Sequence, residues 1–166
     1  MPVLFGRDAR LYYNSATFGS PTWVVINAVR DVAIPDGDRV SIDASGRDYG
    51  IDLVEYANLK LRIEGKIRVN HSNTAFAYLQ AKALLSPSLS TSIVDLMILS
   101  GVHTTDGNTG FRFESKIGKW FGEDQNIDQI LWRPFLFTPC VPSDDANVPQ
   151  SVVITGSVPV FTTLAV

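Results

Sequence analysis

The sequence lacks most features from which a protein's chemistry can be recognised. Its single cysteine, Cys140, excludes a disulfide within the chain. It has no run of about 18 apolar residues, so no membrane-spanning helix is predicted. The formal net charge of −3 gives no electrostatic footprint for tight, non-specific nucleic-acid binding. Residues 1–7 lack the basic and apolar regions of a signal peptide, so we expect a protein that is made in, and stays in, the cytoplasm unless a larger assembly carries it out.

Catalytic and metal-binding motifs are missing as well. We find no Gly-x-Ser-x-Gly elbow, no glycine-rich phosphate loop and no cysteine placed close to a histidine. His71 and His103 are too far apart in sequence to form the closely spaced ligand pairs of structural zinc sites. We expect both histidines at the surface, and Cys140 to be either buried or a lone reactive thiol. Asp106–Gly110 lacks the later glutamate of a calcium loop and is typical of a hairpin turn. The sequence therefore predicts no enzyme, no cofactor and no metal.

What is present indicates one β-rich domain covering residues 1–166. The chain is 45% hydrophobic and long enough to bury a core without disulfides. Apolar and charged residues alternate from Asn58 to Asn70, which predicts one long, half-buried strand. Gly65 lies on its apolar face and indicates a bulge or a close backbone approach. The apolar face comprises Leu59, Leu61, Ile63, Ile67 and Val69.

Other segments are rich in β-branched and aromatic residues and are predicted as strands. These are Arg10–Asn14, Thr22–Val29, Arg39–Asp43, Val94–Leu99, Phe111–Lys119, Ile127–Phe137, Ser151–Thr155 and Val158–Thr163. Pro134 suggests an edge or the end of its strand. One helix is predicted: Asn73 caps it, Phe76 and Leu79 face inward, and Ser86-Pro87 ends it. The predicted fold class is mainly β, a sandwich or barrel with one short α-helix.

Charged residues on the strands are expected to face solvent or another subunit. Lys60, Arg62, Lys66 and Arg68 have no interleaved aromatic residue of the kind that stacks on nucleic-acid bases. Glu114 lies among basic residues and is likewise expected to face solvent or another subunit. The alternative is a catalytic role, because a β-sandwich hydrolase needs only two suitably placed acids.

The order of these elements resembles that of a tail tube protein of tailed phages. Thr22–Val32 and Asp38–Arg47 resemble its first half, in which one strand leads to a second that ends in a Ser- and Gly-bearing loop. The resemblance continues through Leu59–Arg68 as a long central strand, Asn73–Leu84 as the single helix, and Val94–Gly101 and Gly110–Lys119 as the next two strands. Residues 140–166 match no part of that family.

This resemblance implies a tail-tube-like barrel or sandwich subunit that forms rings, expected to be hexameric, which stack into a tube. DNA would pass through the channel without sequence-specific binding. The partners would be further copies of the chain and other tail proteins, with no membrane involved. The protein would assemble in the host cytoplasm and reside in the virion tail. The tube protein of type VI secretion shares the architecture.

A loop supplies the predicted interface residues. Arg47, Asp48 and Tyr49 form a polar tip, and Ile51 and Leu53 then turn apolar, as expected of an arm that docks on a neighbouring subunit. In tail tube proteins a loop at the matching position reaches the adjacent subunit. A hairpin loop packed on its own subunit is the alternative.

Two other function classes stay open at this stage. A carbohydrate-binding β-sandwich would present exposed aromatic residues, and Trp23, Trp120 and Trp132 are candidates. A small hydrolase would use two of the acidic residues.

Overall fold

In a computed structural model of the chain, the described residues are 9–32, 39–43, 54–59, 63–120 and 131–164. They form eleven β-strands and one α-helix, and none of their helices is long and apolar enough to cross a membrane. The elements are β1 Arg10–Asn14, β2 Trp23–Val25, β3 Val29–Arg30, β4 Arg39–Asp43, β5 Val54–Leu59, β6 Ile63–Arg68, α1 Thr74–Ala83, β7 Val94–Leu99, β8 Thr109–Lys119, β9 Trp132–Pro139, β10 Gln150–Thr155 and β11 Val158–Thr163. The predicted mainly β fold with one short helix is confirmed.

Seven strands form an antiparallel sheet that curls into a half-barrel, in the order β2-β1-β7-β8-β9-β6-β3. The hairpin β10–β11 joins this sheet through β8, and β4 pairs with β5 in a separate two-stranded sheet. β2 and β3 lie at opposite ends of the order but follow each other in the chain. The amide of Ile26 donates to the carbonyl of Leu11 beside β2, and the carbonyl of Ala28 accepts from Arg68 beside β3. The connection between the two ends of the sheet is therefore only residues 26–28.

Thr22–Val29, predicted as one strand, is two short strands because the chain changes partner at this connection. β2 pairs with β1, whereas β3 pairs with β6. Ala28 adopts φ 57°, a left-handed conformation that no regular strand contains. Strand propensity could not reveal that the chain leaves one strand pairing for another, since the same residue types are favoured in both pairings.

The concave face of the sheet holds the main core, and α1 packs into it. Asn73 caps the helix as predicted, because its side chain accepts from the amide of Phe76 at 3.1 Å. Phe76 and Leu79 are fully buried against the strands. The other buried members of this core are Leu11, Tyr13, Ile26, Ile63, Ile67, Ala75, Val94, Leu96, Ile98, Phe113, Trp120, Phe135 and Phe137.

The segment Asn58–Asn70, predicted as one long strand, contains all of β6 but only the last two residues of β5, and residues 60–62 lie outside the described residues. In β6 the predicted faces are confirmed: Ile63 and Ile67 are buried, while Arg68 is exposed. Gly65 makes the predicted close approach. A Cβ atom there would lie 2.6 Å from Cζ of Phe135, so the Phe135 ring occupies the space that a side chain would need.

Strand β9 runs through Pro134 and pairs with β6 along six residues. Its ladder with β8 covers only Leu136–Pro139, so Pro134 lies past the end of that ladder. This position matches the prediction that Pro134 marks a local edge, because proline has no amide to donate to a ladder.

The second face of the sheet is covered by the hairpin β10–β11. Tyr12, Met97 and Leu99 alternate with the residues of the main core and pack instead against Val152 and Ile154 of β10. Trp23 and Phe161 are half-buried at the margin of this smaller core. Both faces of the central strands are covered. The charged side chains that alternate along these strands therefore cannot all face solvent.

We expect Gly110→Ala to lower the free energy of unfolding by roughly 1–3 kcal/mol or more, as overpacking does. Gly110 pairs with both Leu99 and Val152, and an added Cβ would overlap the backbone carbonyl of Ile98. Gly19→Ala is the control, since nothing lies within 4 Å of its added Cβ. Urea unfolding measures both variants, and equal stability of the two would contradict the strand pairing described here.

Candidate functional site

The predicted interface loop cannot be placed. Arg47, Asp48, Tyr49, Ile51 and Leu53 all lie outside the described residues, and so do Lys60 and Arg62 of the basic strand face. Their role in assembly stays a prediction.

A buried charged network occupies the second face of the sheet, where solvated charges were expected. Arg112 is 2% exposed and donates from Nε and Nη2 to the two carboxylate oxygens of Asp95, at 3.1 and 2.7 Å. Its guanidinium also donates to the carbonyl of Phe18 at 2.7 Å and to Gln150 Oε1 at 3.3 Å. Asn14 donates to Asp95 at 2.8 Å. Alternation alone could not distinguish this face from a solvated one, because distant segments cover it.

Aromatic rings enclose the same guanidinium. Its central carbon lies 3.5 Å from the ring centroid of Phe18, 4.7 Å from that of Phe161 and 5.1 Å from that of Trp23. These contacts are in the range of cation–π attraction, which strengthens when water is excluded. Arg112 thereby connects strand β8 to residues 18–23 and to the C-terminal hairpin.

Glu114 is 8% exposed, which corrects the expectation that it faces solvent. Its carboxylate accepts from the amide and hydroxyl of Ser143, at 2.6 and 2.8 Å, and from Asn147 Nδ2 at 2.9 Å. It therefore holds the polar connection between β9 and β10 against the sheet.

Asp95 and Glu114 are directly opposite each other on β7 and β8, so the sheet brings two carboxyl groups together. They border a depression of about 270 Å³ that Tyr78 and Lys82 also line. Burial raises the pKa of the Asp95 carboxyl above its ordinary value, and the bonds from Arg112 and Asn14 only partly oppose this. All four carboxylate oxygens accept hydrogen bonds from the chain itself. This arrangement favours a structural role over general acid–base work, which requires an oxygen within reach of a substrate.

The isolated nucleophile and metal-ligand candidates lie in separate places. His71 is exposed, with its ring edge-on to Phe76 at 5.3 Å. His103 is half-buried against the Tyr12 ring at 4.9 Å, so its predicted surface position is only partly right. Cys140 is half-buried, and burial raises the pKa of its thiol, which disfavours the reactive thiolate. Among the described residues no three His, Cys, Asp or Glu side chains cluster as metal ligands would.

The tryptophans do not form an exposed binding platform. Trp120, the strongest candidate from the sequence, is 2% exposed and belongs to the main core. Trp23 and Trp132 are half-buried, and Trp132 carries the Arg30 guanidinium 4.1 Å above its ring. A carbohydrate-binding surface needs a free aromatic face, which none of the three provides in this arrangement.

The outer face of the hairpin β10–β11 is an exposed apolar surface. Val153 and Val160 pair across the two strands and are 43% and 50% exposed, and Val158 is 59% exposed. The flanking residues on the same face, Ser151, Thr155 and Thr162, are uncharged. We call these six residues the hairpin face. Strand prediction located both strands but did not reveal that their alternate residues stay uncovered.

The free edge of the hairpin is partly blocked. In the part of the chain that the structure describes, β11 pairs with β10 alone. The amide of Ile154 points away from β11, to the carbonyl of Asn108, so its cross-strand partner Pro159 directs its nitrogen to the free edge. Proline cannot donate there, which hinders the addition of another strand. The hairpin is therefore suited to contact through its side chains.

We expect Arg112→Met to lower the free energy of unfolding by roughly 3–5 kcal/mol, the range for leaving a buried partner charge unpaired. Asp95→Asn should lower the free energy of unfolding by less, because Arg112 keeps its hydrogen bonds to Phe18 and Gln150 and its contacts with the aromatic rings. The double variant with Asp95→Leu should be more stable than Arg112→Met alone. Urea unfolding provides the comparison, with the exposed Arg68→Met as control. An Arg112→Met loss no larger than that of Arg68→Met would refute the network.

Asp95 also predicts a pH dependence. Its pKa is raised in the folded protein above the ordinary 3.8, so the folded state holds the proton more strongly than the unfolded state. The resulting stabilisation is present below pH 3.8 and is lost as pH rises through the raised value. The stability of the parent relative to Asp95→Asn should therefore fall with rising pH in this window. Unfolding at a series of pH values measures the difference, and a rising curve would contradict the direction.

Comparison with known proteins adds no assignment. No family model matches the sequence, and no curated protein matches it.

Proposed function

We propose that this chain is a structural subunit that assembles with copies of itself. The observation that carries the proposal is the hairpin face, where Val153, Val158 and Val160 are exposed side by side without a charged neighbour on that face. Soluble monomers scatter their exposed apolar residues, whereas grouped ones mark contact surfaces. A covered hairpin face would remove all three valines from water.

The buried polar groups support the same reading. Of the described acids, Asp95 accepts from Arg112 and Asn14 of neighbouring strands, and Glu114 accepts from the connection between β9 and β10. These bonds stiffen the side of the sheet that carries the hairpin. A rigid surface loses little conformational entropy on association, so its apolar contacts contribute more to affinity.

The finer proposal is a tail tube protein of a phage. It rests on the resemblance of Thr22–Lys119 to that family and on a curled antiparallel sheet with one helix, the architecture which that resemblance implies. In this proposal the rings are hexameric, DNA passes through them without base-specific contacts, and other tail proteins bind the ends of the tube. The site of action would be the virion tail.

We expect the purified chain to form oligomers that grow with concentration. The double variant Val153→Lys/Val160→Glu should stay monomeric, because it places charges on the hairpin face. Its two new charges are opposite and directly paired across the strands, so the hairpin itself is not destabilised by repulsion. Sedimentation velocity and negative-stain imaging measure assembly. Val141→Lys, at an 87% exposed residue outside the face, is the control.

A parent protein that remains monomeric at high concentration would refute self-assembly. Equal assembly of the parent and the double variant would show that the hairpin face is not the contact.

A further inference from the structure

We propose that the hairpin face of one copy docks onto a second apolar surface of the next copy, at the opposite end of the sheet, so that the contact is head-to-tail. This inference rests on the proposed self-assembly and names its two surfaces. The second surface follows α1 and consists of Leu84, Leu85 and Leu89, which are 64%, 37% and 47% exposed. We call these three residues the leucine patch.

The leucine patch is held in place by the chain around it. Lys82 Nζ donates to the carbonyl of Thr91 at 2.6 Å, and Lys116 Nζ donates to that of Pro87. The amide of Leu89 donates to the carbonyl of Ser86 at 3.0 Å. Both lysines are thus directed at backbone carbonyls, which keeps their charges bound beside the patch. The three leucines therefore stay exposed on a segment whose backbone is held in place, as the three valines of the hairpin face do.

Charge is absent from both segments. Residues 83–94 and residues 146–166 contain no Asp, Glu, Lys, Arg or His, in a chain whose charged fraction is 19%. The second run alone would carry about four charged residues at that average. Solvated surfaces normally bear charge, whereas the centres of protein interfaces are depleted of it. Joining the two surfaces buries apolar side chains, and no residue of either run carries an ion that would lose its water.

The two surfaces lie at opposite ends of β7 and β8. The leucine patch leads through the 3₁₀ turn Ser90–Ser92 into the start of β7. The hairpin tip lies at the other end, where Ser157 donates to Asp106 at 2.7 Å in the connection that follows β7. Strands rise by about 3.3 Å per residue, so the six residues of β7 alone separate the ends by roughly 20 Å.

Two different surfaces at opposite ends are what a head-to-tail contact requires, since each copy offers one and receives the other. A two-fold contact would need only one of them. Neither the three leucines of the leucine patch nor the three valines of the hairpin face cover the roughly 800 Å² per partner of a standard interface. The contact therefore also uses the uncharged residues Ser86 and Ser88 within the segment of the leucine patch, and Thr155 and Thr162 of the hairpin face.

Mixing two half-blocked variants tests the arrangement. One is Val153→Lys/Val160→Glu, with a blocked hairpin face, and the other is Leu84→Lys/Leu89→Glu, with a blocked leucine patch. Both keep the net charge of the parent. Each variant alone should be monomeric in sedimentation velocity, and an equimolar mixture should form a dimer of one copy of each. Circular dichroism and urea unfolding check that both variants fold like the parent.

If the Leu84→Lys/Leu89→Glu variant alone forms a dimer, hairpin faces pair with each other. That result would overturn the head-to-tail contact but not self-assembly. A mixture that stays monomeric, from a parent that assembles, would overturn it as well. A parent that does not assemble would instead refute the proposed function itself. Val141→Lys should assemble like the parent.

Discussion

The short connection at residues 26–28 is the constraint on which the rest of the fold depends. It joins β2 and β3, the two end strands of a seven-strand sheet. Strands lie about 4.8 Å apart, so a flat sheet of seven would place its end strands roughly 29 Å apart. The chain from Val25 to Val29 can reach at most about 14 Å. The sheet must therefore curl, and its concave side becomes a closed space that α1 and the core side chains fill.

Curling also explains where the structure tolerates no side chain and where it buries charge. Inside the curve Gly65 leaves room for the Phe135 ring, and on the second face Gly110 lies against the backbone of β7. That second face would be exposed by a half-barrel alone. The C-terminal hairpin and the segment around Phe18 cover it, and Arg112 joins both to the sheet through hydrogen bonds and ring contacts.

These coverings leave little of the central sheet available for binding. The carboxylates of Asp95 and Glu114 are occupied by the chain itself, and Trp120 lies in the core. Among the described residues, the hairpin face and the leucine patch each group three exposed large apolar side chains. We infer a function in assembly because contact between copies would cover these two surfaces without breaking any of the bonds that hold the sheet.

The local pattern of the sequence determined the secondary structure closely. Arg10–Asn14, Val94–Leu99 and Val158–Thr163 are strands with the predicted bounds, and Asn73 caps the predicted helix. Alternation also predicted the buried side of β6. The charge-free run 146–166 was a further signal, present in the sequence, that could have indicated the hairpin face.

Tertiary structure alone decided which alternate residues are covered. Arg112 and Glu114 alternate with apolar residues just as Arg68 does, yet the first two are buried and the third is exposed. The split of Thr22–Val29 has the same origin, because its two halves pair with strands distant in the chain. A strand's sequence specifies that it has two faces. What lies against each face depends on segments that only the folded chain brings near.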